Sequence, residues 1–155
     1  MNDLNKEALT YAFNLLSISD RSEKILHEKI SKRFDQASAD KILEYLSENN
    51  FINDKRYAKN LIENYLSVRS YGRNRIRLEL MKKKIPQEII SQELENVSGE
   101  EDGCREATEN WLRKKNISGE MEYAAKNKLL AYLIRRGFDY DTAKSSVEQA
   151  LKDLK

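Results

Sequence analysis

Cysteine, histidine, proline and tryptophan each occur once in these 155 residues, and glycine only five times. A lone Cys104 rules out an intrachain disulfide framework and fits a reducing compartment, where it serves as a small apolar filler. One histidine and one cysteine leave no zinc site of the usual Cys/His kind. His27, set between Leu26 and Glu28 on a charged stretch, is expected to be solvated. Scarce proline, glycine, valine and threonine favour helix over sheet. No apolar run is long enough to cross a bilayer, and the Met-Asn-Asp-Leu-Asn-Lys start does not read as a signal peptide. A cytoplasmic location is therefore expected. GxxxxGK(S/T) and GxGxxG strings are missing, and Glu100-Glu101-Asp102 lacks the alternating ligand spacing of a calcium loop. With no convergent catalytic set, the expectation is a non-enzyme with no catalytic residues, cofactor, metal or small-molecule substrate.

Charge is abundant instead. Asp, Glu, Lys and Arg make up 35% of the chain against 39% hydrophobic residues, so apolar residues must be confined to one face of each element. The net charge of +2 hides a segregation. Between Arg69 and Lys84 stand seven basic residues and one acid, Glu79, whereas between Ile85 and Asn110 stand eight acids and one base, Arg105. Alternating fields of this kind suit docking onto a polyelectrolyte or a charged protein surface, although helix-rich proteins also expose Lys and Glu for solubility.

A weak echo recurs about every fifty residues. Ile76, Leu80, Lys82-Lys83-Lys84 and Ile85 match Leu129, Leu133, Arg135-Arg136-Gly137 and Phe138, about 53 positions on; Leu26, Ile30, Lys32-Arg33 and Phe34 form a copy one residue tighter. The fold class this implies is all-α: three tandem three-helix repeats, residues 1–50, 51–98 and 99–155, forming an elongated, curved body. Ser19-Asp20 is expected to cap the second helix with Glu23 completing a capping box, Ser38 the third, Asn53-Asp54 the fourth, and Ser118-Gly119 the eighth. Tyr57, Ala58, Leu61, Ile62, Tyr65 and Leu66 form the cleanest amphipathic stripe, broken at Ser70-Tyr71-Gly72. Pro86 opens a further helix, Gly137 ends one in a left-handed conformation, and Asp139 caps the last. The acidic stretch 98–103 reads as a flexible joint. The eighth helix is expected to hold Tyr123, Ala124, Leu129, Leu130, Leu133 and Ile134. Each repeat holds too few apolar residues for a core of its own, so sharing between repeats is expected.

The basic helix is the one candidate site. Ile76 and Leu80 point inward, leaving Arg73, Arg77 and Lys84 on one flank and Arg75 and Lys82 with Glu79 on the far side. Arginine forks bind carboxylates or phosphates in bidentate fashion. Arg69, Tyr71, Gly72, Arg73, Arg75, Arg77, Lys82 and Lys83 are thus candidates for binding a partner. Internal bracing is the competing role, for instance Arg75 with Glu79 at i,i+4.

Asp54-Lys-Arg56-Tyr57-Ala58 followed by Arg69-Ser-Tyr-Gly72-Arg-Asn-Arg75-Ile76-Arg-Leu-Glu79-Leu80 resembles the central signature of the RecX family. The flanking repeats extend the resemblance over nearly the whole chain. It implies a three-fold helical repeat and a monomeric, non-enzymatic regulator in DNA recombination, repair and the SOS response. Such a regulator binds the filament of the RecA recombinase on DNA and restrains its extension, ATPase, strand exchange and coprotease activity. A helical protein that binds DNA directly and competes for it is the alternative. Among the signature residues, Asp54, Arg56, Tyr57, Ile76, Glu79 and Leu80 are also candidates for fixing how repeats meet. Lys84 stands where the family carries glycine, and no glycine separates Arg33 from Phe34. Each departure would cost about 1 kcal/mol if a left-handed turn is kept there.

Overall fold

The computed structural model describes residues 4–117 and 121–154. Among them are nine α-helices and no strand: α1 (Lys6–Ile18), α2 (Glu23–Arg33), α3 (Gln36–Glu48), α4 (Asp54–Ser67), α5 (Arg73–Lys82), α6 (Gln87–Glu95), α7 (Glu100–Lys114), α8 (Tyr123–Arg135) and α9 (Tyr140–Leu154). The all-α, three-by-three organisation follows from apolar residues spaced three and four apart, which put one side of each helix indoors.

The recurring echo is a helix-ending turn. After α3, α5, α7 and α8 a residue takes positive φ: Asn50 at 58°, Lys84 at 58°, Asn116 at 54° and Gly137 at 102°. The apolar residue that follows then donates its N–H back across the turn. Phe51 bonds Leu46 O at 2.8 Å, Ile85 bonds Leu80 O at 3.3 Å, Ile117 bonds Leu112 O at 3.1 Å and Phe138 bonds Leu133 O at 3.2 Å. This left-handed closure satisfies carbonyls that a helix end leaves orphaned. Lys84 therefore adopts the glycine conformation at a cost of about 1 kcal/mol, and its ammonium reaches Glu28 at 2.7 Å. The first-repeat copy is different in kind. Phe34 ends α2 at φ −115° with an ordinary bond to Ile30 O, so the missing glycine costs nothing there.

Several caps differ from the sequence expectation. Ser22, not Ser19 or Asp20, caps α2 by accepting from Ile25 N at 3.3 Å. Ser19 is taken up in closing α1 through its N–H to Leu15 O. Asp35 rather than Ser38 caps α3, because it follows Phe34 directly and its carboxylate holds both the N–H and the hydroxyl of Ser38 at 2.7 and 3.0 Å. Those two bonds lower the pKa of Asp35. The expected joint at 98–103 shrinks, since Glu100, Glu101 and Asp102 form the first turn of α7, where acids complement the helix dipole. Asn53, Gly137 and Asp139 act as expected, Asn53 Oδ1 accepting from Arg56 N and Asp139 Oδ1 from Thr142 N. Ser118-Gly119 lies outside the described residues. On α8, Leu129 and Leu133 are buried and Ala125, Leu130 and Tyr132 pack half-buried against the same core, whereas Tyr123 and Ile134 are exposed, at 78% and 45%.

The chain divides into two compact units, Met1–Leu61 with Leu80–Glu93 and Ile62–Glu79 with Leu94–Lys155. In the first, Ala8, Ala12, Leu26, Ile30, Ala39, Ile42, Leu46 and Ile52 form a closed cluster. In the second, Cys104, Ala107, Trp111, Met121, Leu129, Leu133, Phe138, Ala143 and Val147 do the same. Each cluster comes from a single stretch of about fifty residues, so the first and third repeats gather cores of their own, whereas the middle repeat is divided between the two units, in keeping with the expected sharing. The small residues Ala8, Ala12 and Ala39, all fully buried, let helices approach closely, so fewer large side chains suffice. Each fully buried Leu or Ile contributes about 1.5–3 kcal/mol. Cys104 is buried and its thiol pKa is raised by that burial, which makes it the inert filler expected.

Candidate functional site

In the second unit the signature turn docks on the end of α8. Tyr71 N bonds Tyr65 O at 3.0 Å, Gly72 N bonds Arg136 O at 2.8 Å and Asn74 N bonds Gly137 O at 3.0 Å. Arg73 N donates to Glu100 Oε1 at 2.6 Å. The first turn of α5, which has no intrahelical acceptors for its N–H groups, is thus served by a neighbouring turn and by one carboxylate. A side chain at either glycine would run into backbone. A Cβ on Gly72 meets the Gly137 carbonyl and Phe138 N, and one on Gly137 meets Arg75 N and Cβ.

Around this joint the arginines divide into two kinds. Arg75 Nε pairs with Glu79 Oε1 at 3.0 Å and its other arm reaches Arg135 O at 3.3 Å. The Glu79 hydrogen bond raises the Arg75 pKa. The Arg75 guanidinium lies 4.7 Å from the centre of the Tyr71 ring, and Arg136 lies 4.9 Å from the same ring, with Tyr65 5.7 Å away. Burial, with the charge of Glu79 second, raises the Tyr65 pKa. Arg73 donates to Val97 O at 2.8 Å. Arg73 and Arg75 are therefore engaged internally, and cation–π contact adds about 0.5–2 kcal/mol at such sites. Arg69 is exposed and Arg77 half-buried, and among the described residues neither side chain makes a hydrogen bond or ion pair. Ile76 is fully buried and anchors the helix.

Sequence reasoning did not single out Tyr65, Glu100, Arg135 or Arg136 as members of this cluster, nor Tyr132, whose ring lies 5.5 Å from the Arg136 guanidinium. The 53-residue displacement aligns Arg135-Arg136-Gly137 with Lys82-Lys83-Lys84 and so marks a repeat, whereas the contacts of this cluster run from Gly72 and Asn74 to Arg136 and Gly137.

In the first unit, Leu80 is fully buried, Lys82 is exposed and Lys83 half-buried. Arg56 reaches Asn50 O at 3.2 Å and Phe51 O at 3.5 Å, and Tyr57 is half-buried beside it on α4. Asp54 is 7% exposed and accepts from Glu23 N at 2.9 Å, so it supplies the α2 N-terminus with a second cap. His27 is not fully solvated: α3 brings Asp40 Oδ1 to 2.6 Å from its Nε2. Burial raises the pKa of Asp54, and burial together with Asp54 raises that of Glu23. The folded state thus binds protons more readily than the unfolded chain. Stability contributed this way is full below the unfolded carboxylate value and is lost as pH rises through the folded values. Asp54→Asn keeps the acceptor and removes the charge, so urea titrations from acid to neutral pH are expected to show a flatter stability profile and no loss at pH 7. Asp54→Ala loses the cap and should cost about 1–2 kcal/mol.

No group of three or more His, Cys, Asp or Glu among the described residues could hold a metal, and no described helix is long and apolar enough to cross a membrane. Tandem three-helix units, with an arginine-rich helix start docked on a glycine turn one repeat further on, define the class of protein: an all-α repeat protein. The chain belongs to the RecX family. Its residues 53–94 match the second three-helix domain of RecX and residues 100–146 match the third. Regulatory protein RecX of Finegoldia magna is 33% identical over 89% of this chain and 69% of its own length. That of Clostridioides difficile is 30% identical over 94% and 68%, and that of Clostridium perfringens strain 13 is 31% identical over 83% and 61%. The chain thus spans about three fifths of the clostridial relative last named. In fold it resembles the crystal structure of RecX from Lactobacillus salivarius, with a TM-score of 0.81 at 23% identity over 95% of this chain and 96% of that one. A second crystal structure, of regulatory protein RecX, gives 0.75 at 21% over 96% and 71%.

Proposed function

We propose that this chain is a non-enzymatic, cytoplasmic negative regulator of the RecA recombinase, which binds the RecA–DNA filament and limits its extension, ATPase, strand exchange and coprotease activity. Membership of a family of regulatory proteins supports the regulatory role. The observation that carries the choice of contact residues is the division among the arginines: Arg73 and Arg75 brace the joint, while Arg69 and Arg77 keep their forks unpaired. Arg69 and Arg77, with Lys82 and Lys83, are the residues we assign to acidic protein surface or DNA phosphate. Tyr71, Gly72, Ile76, Glu79 and Leu80, like Asp54, Arg56 and Tyr57, hold the scaffold.

The test measures RecA ATPase on single-stranded DNA with substoichiometric protein, alongside binding to bare DNA over a salt series. Inhibition well below one copy per recombinase, at salt that abolishes bare-DNA binding, is the expected result. Inhibition that tracks DNA occupancy with a steep salt slope favours competition for DNA instead. Arg69→Ala with Arg77→Ala should raise the inhibitory concentration about tenfold with helicity unchanged. Full inhibition by that folded variant would remove these residues from the site.

A further inference from the structure

Helices α7 and α9 of the second unit run parallel. Cys104 Sγ donates to Thr142 O at 3.9 Å and Thr108 Oγ1 meets Ser146 Oγ at 2.9 Å, each pair 38 positions apart. Over this seam lies a cleft of about 580 Å³. Leu112 and Leu154, both half-buried, and Ala150 give it an apolar floor. Glu101, Glu109, Asp141 and Asp153, all exposed, line it as well. Among the described residues none of these four carboxylates pairs with a Lys or Arg, and Asp153 only accepts from Gln149 Nε2 at 3.1 Å. Arg105, the one base in the lining, is drawn instead to Asp102 at 3.2 Å.

Exposed acids alone are a solubility feature. Uncompensated acids above an apolar floor call for a ligand that is apolar and basic at once. No three of them are grouped so as to hold a metal ion, so the positive charge has to come spread along the ligand. The same field repels nucleic acid. Length narrows the choice further, because α7 rises about 16 Å from Glu101 to Leu112, or about three helical turns. We propose that the α7–α9 cleft is a docking groove for a basic amphipathic helix of about three turns, presented by a partner protein. Apolar residues of that helix, at i, i+3 or i+4, and i+7, lie on Leu112, Ala150 and Leu154. Lys or Arg on its flanks meets Glu109 and Asp153 towards one end of the cleft and Glu101 and Asp141 towards the other. All of these residues belong to the second unit, and none is among those assigned to the filament contact. The groove is tested without recombinase, so its failure leaves the filament reading standing.

Fluorescence anisotropy, with the full chain titrated into labelled synthetic peptides, is the test. The probe is a helix-forming peptide of about twelve residues with Leu at the anchor spacing and Lys on both flanks. It is expected to bind at about 50 mM salt and to lose about tenfold in affinity by about 500 mM, as screening shortens the reach of the rim charges. A peptide of the same composition in scrambled order, with no apolar face, should bind about tenfold more weakly or worse, and one with Glu for Lys should not bind. These comparisons use the parent chain alone and decide the matter whatever a variant does. Glu109→Lys with Asp153→Lys should abolish binding of the basic peptide with helicity unchanged by circular dichroism. Glu44→Lys with Glu48→Lys makes the same change of net charge at exposed positions on α3 and should leave binding at the parent level. Failure of the basic peptide to bind, equal binding of the scrambled one, or equal loss in the α3 control would each overturn the proposal. Self-association of the chain alone, abolished by the reversed cleft, would put a second copy in the groove and overturn it as well.

Discussion

Replacing Gly72 by alanine is expected to lower the unfolding free energy by about 3 kcal/mol or more, the sum of overpacking against fixed backbone and the loss of two docked hydrogen bonds. The added Cβ would fall on the Gly137 carbonyl and on Phe138 N, and no rotamer change relieves a clash between main chains. Relief requires α5 to withdraw from the turn, which breaks Gly72 N to Arg136 O at 2.8 Å and Asn74 N to Gly137 O at 3.0 Å. Withdrawal also strips Arg75 and Arg136 from the Tyr71 ring. Gly103→Ala is the internal comparison. Its Cβ would meet only ring atoms of Phe138, at 3.8 Å, and it sits within α7, where alanine is favoured over glycine by about 0.5–1 kcal/mol. Urea denaturation should therefore move the midpoint down for the first substitution and level or up for the second. If Gly72→Ala melts with the parent, the docking of this turn is wrong. If it unfolds early as expected, loss of regulation in that variant says nothing about a binding role for the glycine.

The legible part of the fold was the part that local physics decides. Apolar spacing located all nine helices, and Gly137, Asn53 and Asp139 were readable because left-handed turns and N-caps select those residue types. Cap positions were misread where two candidates compete within a few residues. Ser22 and Asp35 won over Ser19, Asp20 and Ser38 because the connections before α2 and α3 leave those residues next to the free N–H groups, which no local pattern states. The candidate site was legible in composition but not in arrangement. The sequence places Arg73, Arg75 and Arg77 at alternate positions of one basic run, and only the pairing of Arg75 with Glu79 at i,i+4 was legible in it. The carbonyls of Val97 and Arg135, 24 and 60 positions along the chain from Arg73 and Arg75, take up the remaining arms. Separation of that size is invisible to periodicity.

The echo itself gives the last expected result. Phe34, Ile85 and Phe138 occupy matching places in the sequence, yet their surroundings differ. Phe138 is 1% exposed and belongs to the core cluster of the second unit, while Phe34 is half-buried against Tyr11 at 6.0 Å between ring centres. Phe138→Ala is expected to cost about 3–5 kcal/mol, the range for emptying a closed aromatic site. Phe34→Ala leaves a site partly open to water and should cost about half as much or less. The turn sharpens the difference. Phe138 donates its N–H to Leu133 O at 3.2 Å behind the left-handed Gly137, so its ring is held on the Leu133 side of the helix end, the contact that accompanies this kind of closure. Phe34 follows no left-handed residue, and its ring placement rests on packing alone. Equilibrium unfolding of both variants, followed by circular dichroism with the m-value checked for constancy, separates the two cases. Equal losses would mean that the matching places are equivalent in structure, and that the geometry of the helix ends adds nothing to the sequence repeat.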